Sequence, residues 1–325
     1  METAVLGATG LKVTRLAYGT WQFGGDWGPV DEAAAIAAIQ HARSQGINFF
    51  DTAQAYGFGR SERLLGAALA ADLRDTRNSV VIATKGGLRM DGDRLVRDAS
   101  PGWLRAGVES SLDALGTDHI DLYQVHWPDP ATPIRETAAA LAGLIGEGLI
   151  RHVGVSNYSN PQLEEFSQVL PAETIQPPYH LFRRDIEADL LPYAASHDIG
   201  VLAYGPLAHR LLGGAINERT TFGPDDWRSH SSAFTGEGFA RNLRVVTRLH
   251  RFAADRGATI AQLAVAWVLA HPAVQVAIVG ARTPAHLAES AGALDLNLSP
   301  ADLAEIDRIM TAAVPVGGPS PEGMS

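Results

Sequence analysis

The chain has 325 residues with an ordinary apolar fraction of 46%, a length that allows either two domains or one α/β barrel. A net charge of −10 argues against nucleic acid as a partner, and no apolar run reaches the roughly 18 residues of a membrane span. Cysteine is absent, which removes disulfides and thiolate metal sites, and the opening METAVLGATG lacks the basic region and apolar core of a leader, so a cytoplasmic location without membrane attachment is expected.

Residues 7–12 read as an N-terminal hairpin turn. Beyond it, short apolar runs alternate with helical patterns. Candidate strands fall at 16–20, 48–52, 80–85, 120–126, 152–156, 174–176, 201–204 and 276–280, spaced widely enough for strand, helix and two loops each. Asp31 is placed to cap a helix carrying Ile36 and Ile39 on one face, ended by Gly46. Five further starts put a capping residue before proline: Ser100-Pro101, Thr132-Pro133, Asn160-Pro161, Thr283-Pro284 and Ser299-Pro300. Leu104, Val108, Leu112 and Leu115 form a helical stripe that Gly116 terminates, and Ile134, Ala138, Leu141 and Ile145 form another, ended near Gly148. Residues 217–238, rich in Gly, Ser, Thr and Asp, predict a long mobile loop after the seventh strand, with helices over 241–256 and 260–270 beyond it. The tail over 311–325 is expected to be poorly ordered or loosely draped.

Eight β/α alternations without a composition break predict a closed (β/α)₈ TIM barrel with an N-terminal hairpin cap, forming one domain over 1–325. A doubly wound sheet is the rival. It would bind a dinucleotide at a glycine fingerprint after its first strand, and the GTWQFGG turn here lacks G-x-G-x-x-G.

Reactive groups of such a barrel gather at the carboxyl ends of its strands. Those ends supply Asp51, Lys85 and His126, with Tyr56 on the loop just past the second strand. Lys85 stands out further: of 26 basic residues only Lys12 and Lys85 are lysines. Arginine is effectively never neutral, whereas a lysine responds to its surroundings. A phenol titrates too high, near 10, to shuttle protons easily at neutral pH. A nearby ammonium stabilises the phenolate, and a carboxylate keeps that ammonium charged and aimed. Histidine hydrogen-bonds a substrate oxygen. Together these groups suit protonation of a carbonyl oxygen while hydride reaches its carbon, and with no metal site read from the chain an organic hydride donor is implied. Singly, each residue also has a plain structural reading, as a packing tyrosine, a loop-capping aspartate or a core histidine. The chemical reading rests on their convergence at successive strand ends.

The motifs DTAQAYG with GRSERLLG, ATKGG, LYQVHWPDP, RHVGVSNYS, AYGPLA and VGARTP span nearly the whole chain, and in that order the sequence resembles the aldo-keto reductases, with the bacterial and potassium-channel β-subunit-like branches nearest. The resemblance implies a barrel that reduces aldehydes or ketones to alcohols with NADPH, NADH being the other possible donor. It implies Tyr56 as proton donor, Lys85 and Asp51 as its tuning pair, and His126 as substrate orienter. It further implies that Ser156, Asn157 and Gln176 hold the nicotinamide amide and that Tyr204 stacks on the ring. Thr20, Trp21, Gly205, Pro206, Leu207 and Ala208 then line the ribose and pyrophosphate.

The helix opening at Thr283-Pro284, preceded by Gly280, Ala281 and Arg282, is a candidate anion site for a 2′-phosphate. His286 and Ser290 stand where many relatives carry basic or amide groups, and Glu289 matches the adenine-contacting position. Trp21, Phe23, Trp27, Phe58, Trp127 and Tyr158 are expected to wall the substrate pocket around Tyr56 and His126. A small-molecule carbonyl compound is the expected partner. The alternative is a redox-sensing regulatory protein that binds the dinucleotide, resembles channel β subunits and turns over little.

Overall fold

The computed structural model describes residues 1–25, 30–224, 226–281 and 283–318. The chain opens with β1 (Thr3–Val5) and β2 (Lys12–Thr14), an antiparallel pair with Thr3 opposite Thr14. The turn between them approaches the seventh barrel strand so closely that a Cβ on Gly7, at φ 48°, would stand 2.3 Å from the Gly200 nitrogen. Asn48 Oδ1 accepts from the Thr14 N–H, and Asn48 Nδ2 donates to the Lys12 carbonyl. The hairpin is thereby fastened to residues that open barrel strands, and it forms the barrel floor.

The barrel strands are β3 (Leu16–Gly19), β4 (Phe49–Asp51), β5 (Val81–Gly86), β8 (Ile120–Val125), β9 (Ile150–Ser156), β10 (Thr174–Gln176), β11 (Gly200–Tyr204) and β12 (Val276–Gly280), while β6 (Leu88–Asp91) and β7 (Arg94–Arg97) pair as a separate hairpin after β5. The eight form one closed sheet, as expected, with parallel neighbours throughout the resolved pairings. Parallel strands share one carboxyl rim, so Gly19 pairs with Asp51, Asp51 with Ala83 and Lys85 with Gln124 at the same end. These strands are buried on both faces, with polar side chains such as Asp51, Thr84 and Lys85 set among apolar ones.

The helices are α1 (Glu32–Ser44), α2 (Arg60–Ala68), α3 (Ala70–Asp75), α4 (Pro101–Leu115), α5 (Ile134–Gly146), α6 (Asn160–Ser167), α7 (Leu190–Ser196), α8 (Gly236–Ala254), α9 (Ile260–Ala270), α10 (Pro284–Ala291) and α11 (Pro300–Met310). Asp31 and Ser100 cap α1 and α4 with their side chains, and Ser299 shares a capping box with Asp302 at α11. Two expected caps differ. Thr132 turns its hydroxyl to Asp129, leaving Pro133 at the cap of α5, and α6 is entered one residue early through Ser159, which donates to Gln162 Oε1.

By internal contacts the chain divides into two compact units, one of residues 1–177, 186–202 and 273–287, the other of 178–185, 203–272 and 288 onward. In the second unit α8 begins at Gly236, earlier than the expected 241, and Phe222, Trp227, Phe234 and Phe239 pack ring against ring across the preceding segment. The tail is also tied down as far as it is described, contrary to expectation. Val316 is fully buried and donates to the Phe182 carbonyl, and the Val314 N–H reaches Asn242 Oδ1. Among the described residues no helix is long and apolar enough to cross a membrane.

Candidate active site

β4 delivers Asp51 to the rim, and β5 delivers Lys85 two positions beyond the residue opposite it. Alternation keeps both side chains on the inner face. Lys85 Nζ lies 2.7 Å from Asp51 Oδ2 and 2.9 Å from the Thr52 carbonyl, with only 1% of Lys85 and 2% of Asp51 exposed. The other carboxylate oxygen, Oδ1, accepts from Gln176 Nε2 at 2.9 Å. Both oxygens of Asp51 are therefore committed, one to a cation and one to an amide from β10.

The same ammonium stands 5.2 Å from the centre of the Tyr56 ring, and the His126 ring meets that ring edge-on at 5.8 Å. The loop that carries Tyr56 is fixed at several points. Gln54 N–H donates to the Lys85 carbonyl, and Ser61 N–H to that of Tyr56. A Cβ on Gly57 would stand 2.3 Å from the Gly24 carbonyl, so this loop closes directly on the turn after β3. His126 N–H donates to the Gly86 carbonyl, and the His126 carbonyl accepts from Asn157 Nδ2 at 3.1 Å. The four residues expected to converge thus do so.

Beside Asp51, Ser156 Oγ donates to the Gln176 carbonyl at 2.8 Å and Asn157 Nδ2 to Ser156 Oγ at 3.0 Å. Asn157 holds a left-handed backbone, φ 62°, which asparagine tolerates better than most residues. This set of one hydroxyl and two amides at the rim fits a flat carboxamide such as that of nicotinamide. Thr20 packs on the outer side, with N–H and Oγ1 on the Asp51 carbonyl and Ser61 Oγ on Thr20. Ala281 offers its carbonyl to Tyr18 Oη at 2.5 Å and to Gln22 Nε2 at 3.2 Å. Gly280 and His286 are exposed, and α10 starts with the His286 N–H on Thr283 Oγ1. Arg282 and Trp27 lie outside the described residues.

Within the second unit, Tyr204 ends β11 and a turn follows with Gly205 exposed, Pro206 and Ala208 buried, and Leu207 half-buried. Ala208, His209 and Arg210 take positive φ in succession, 49°, 54° and 75°. Ser290 is buried and Glu289 half-buried. Sequence reasoning passed over two histidines of this unit. His180 is fully enclosed and held well below the ordinary imidazole value, first by burial and then by His209 and Arg183; His209 is pushed down to about 4 by burial, Arg183 and Arg228.

The aromatic residues expected around the substrate separate into two groups. Phe23 is 4% exposed and stacks on Tyr18, and Tyr158 packs edge-on against Phe166, so both sit in the core. Trp21 and Trp127 are half-buried and Phe58 is 45% exposed. The β6–β7 hairpin adds an unforeseen neighbour, Arg97, whose guanidinium lies 4.9 Å from the Trp127 ring centre. Its signal was present: a Gly92-Asp93 pair between short alternating runs marks a two-residue hairpin loop.

The profile of the Aldo/keto reductase family matches residues 15–311. Aldo-keto reductase YhdN of Bacillus subtilis (strain 168) is 42% identical, covering 98% of this chain and 96% of its own. The NADH-specific methylglyoxal reductase of Escherichia coli (strain K12) is 35% identical over 93% and 96%, and a probable voltage-gated potassium channel subunit beta of Arabidopsis thaliana 32% identical over 95% and 97%. Among solved structures, the glycerol dehydrogenase AKR11B4 from Gluconobacter oxydans is similar over 99% of both chains, with a TM-score of 0.90 and 39% identity.

Proposed function

Because the chain belongs to the aldo-keto reductase family of oxidoreductases, we propose that it reduces aldehydes or ketones to alcohols by hydride transfer from NADPH, with Tyr56 as the proton donor. The observation that carries this reading is the buried line Asp51–Lys85–Tyr56 with His126 against the Tyr56 ring. Reduced nicotinamide supplies the hydride. Ser156, Asn157 and Gln176 would hold its carboxamide and Tyr204 its ring. Thr20, Trp21 and the turn of Gly205, Pro206, Leu207 and Ala208 would line the ribose and pyrophosphate, and Gly280, Ala281, Arg282, His286, Glu289 and Ser290 the adenosine end. Arg282 ahead of the Thr283-Pro284 helix start supports NADPH as the donor.

Tyr56 passes its phenolic proton to the carbonyl oxygen as the carbon gains hydride. The phenolate left behind faces the Lys85 ammonium, which Asp51 keeps charged and in place, and it recovers its proton from solvent. His126 donates to the substrate oxygen and sets its direction towards the phenol. Among the described residues of the expected pocket set, Trp21, Phe58 and Trp127 offer accessible aromatic surface to the rest of the substrate.

Tyr56→Phe is expected to lower kcat about 10²- to 10⁴-fold, the usual weight of a general acid, while NADPH binding by fluorescence titration survives. Undiminished turnover would remove Tyr56 from the mechanism. The assay panel should include aromatic aldehydes, methylglyoxal and, in the oxidative direction, glycerol. It should be run with NADPH and NADH in parallel; a higher kcat/KM with NADH would overturn the cofactor choice.

A further inference from the structure

Behind Lys85, on the outer side of the barrel wall, lies a second group of buried polar side chains that the hydride-transfer scheme does not use. Alternation along β5 turns Thr84 outward where Lys85 turns inward. Thr84 Oγ1 donates at 2.6 Å to Oε1 of Glu62, a fully buried residue in the first turn of α2. Tyr123 is opposite Thr84 in the β5–β8 register and equally buried. Two glycines make space for its hydroxyl. A Cβ on Gly86 would stand 1.9 Å from Tyr123 Oη, and one on Gly107 of α4 would stand 3.0 Å from that oxygen and 3.1 Å from Gln54 Oε1. Ser111, one turn further along α4, approaches the Glu62 carboxyl without reaching hydrogen-bond geometry.

Among the described residues, Gln54 Oε1, Glu62 Oε2, Ser111 Oγ and Tyr123 Oη all lack a hydrogen-bond partner. Buried polar atoms in native proteins are rarely left so, and several around one small polar space are the signature of an internal water. The placement is specific. Gln54 sits two residues before Tyr56 and its N–H donates to the Lys85 carbonyl, while Thr84 immediately precedes Lys85. Both members of the proton-donating pair are flanked by this network.

We propose that Glu62 is a positioning residue for the Tyr56–Lys85 pair: through Thr84, and through an internal water shared with Gln54, Ser111 and Tyr123, its carboxyl fixes the loop that carries Tyr56 against the strand that carries Lys85. The inference rests on the reductase reading given above. Burial raises Glu62 above the ordinary carboxylate value, against hydrogen bonding from Thr84 and the field of Lys85. Burial thus favours the neutral carboxyl, which can donate as well as accept, and the ion pair with Lys85 belongs to Asp51.

The test compares Glu62→Gln, Glu62→Ala and Thr84→Val with the wild type. Glu62→Gln keeps size, neutrality and donor capacity, and is expected to leave kcat within about threefold and the pH profile of kcat/KM in place. Glu62→Ala and Thr84→Val loosen the loop, and are expected to lower kcat roughly 10- to 100-fold with NADPH affinity unchanged, the scale of a displaced reacting group. In both, the Tyr56 phenolate titration, read as the ultraviolet difference from the same background carrying Tyr56→Phe, should shift. Difference infrared spectra should show a protonated carboxyl band that Glu62→Gln removes. If Glu62→Ala does not fold, Thr84→Val carries the same readouts. Wild-type kcat and phenol titration in Thr84→Val, or a pH profile displaced by Glu62→Gln as far as by Glu62→Ala, would overturn the proposal. Loss of turnover in Tyr56→Phe alongside undisturbed Glu62 and Thr84 variants would overturn it alone and leave the reductase reading standing.

Discussion

At Lys85 Nζ, the Asp51 carboxylate, the Thr52 carbonyl and the face of Tyr56 meet around one small cation. A guanidinium offers a wide planar fork, and the second carboxylate oxygen that would accept its other arm is already held by Gln176. This is why a chain that almost everywhere else chooses arginine keeps a lysine here. Lys85→Met should leave Asp51 buried and unpaired, lowering stability by about 3–5 kcal/mol as well as abolishing turnover. Adding Asp51→Asn should recover part of that stability and none of the activity, a coupling that denaturant midpoints of the two single variants and the double variant will show. Asp51, Tyr56, Lys85 and His126 were legible because strand ends are local features of the sequence. The Gln176–Asp51 contact was not, since it joins positions 125 apart through barrel closure alone. The stacking of Phe23 on Tyr18 was not legible for a related reason: it follows from the turn after β3, which no periodicity announces.

Between elements, α2 approaches α4 through the glycine that ends GRSERLLG. A Cβ on Gly66 would stand 2.3 Å from the Leu115 carbonyl, a backbone atom at the end of α4 that has no rotamer to yield. Gly66→Ala should therefore cost about 1–3 kcal/mol despite its better helix propensity, measurable as a lower thermal midpoint. Equal or higher stability would mean the two helices part easily. Most helix positions were legible because caps, prolines and apolar stripes are read over a few residues, but α2, α3 and α7 were not read. The misses are equally local: at α6 serine outcompetes the asparagine beside it for the cap, and a hairpin of charged and half-buried residues lacks the apolar run by which the barrel strands announce themselves.

For the whole molecule, eight repeats of strand and helix made the barrel readable, while the packing of 222–239 rests on scattered aromatics with no period to follow. Stability against acid follows from His180 and His209. An unfolded imidazole takes its proton near 6.5, whereas His209 in the folded chain resists until about 4. Stability is thus complete above 6.5 and declines as pH falls towards 4, by up to about 3 kcal/mol for His209 alone. His209→Asn should flatten the thermal midpoint between pH 6.5 and 4.5 relative to wild type. An unchanged slope would show that other groups govern acid unfolding.

The scarcity of lysine also decides how the protein meets an amine-reactive surface. Lys85 is sealed in the barrel, while Lys12 is exposed on the floor hairpin. Coupling through Lys12 should anchor the molecule from below, with the strand ends that carry Tyr56 and His126 turned towards the bulk solution.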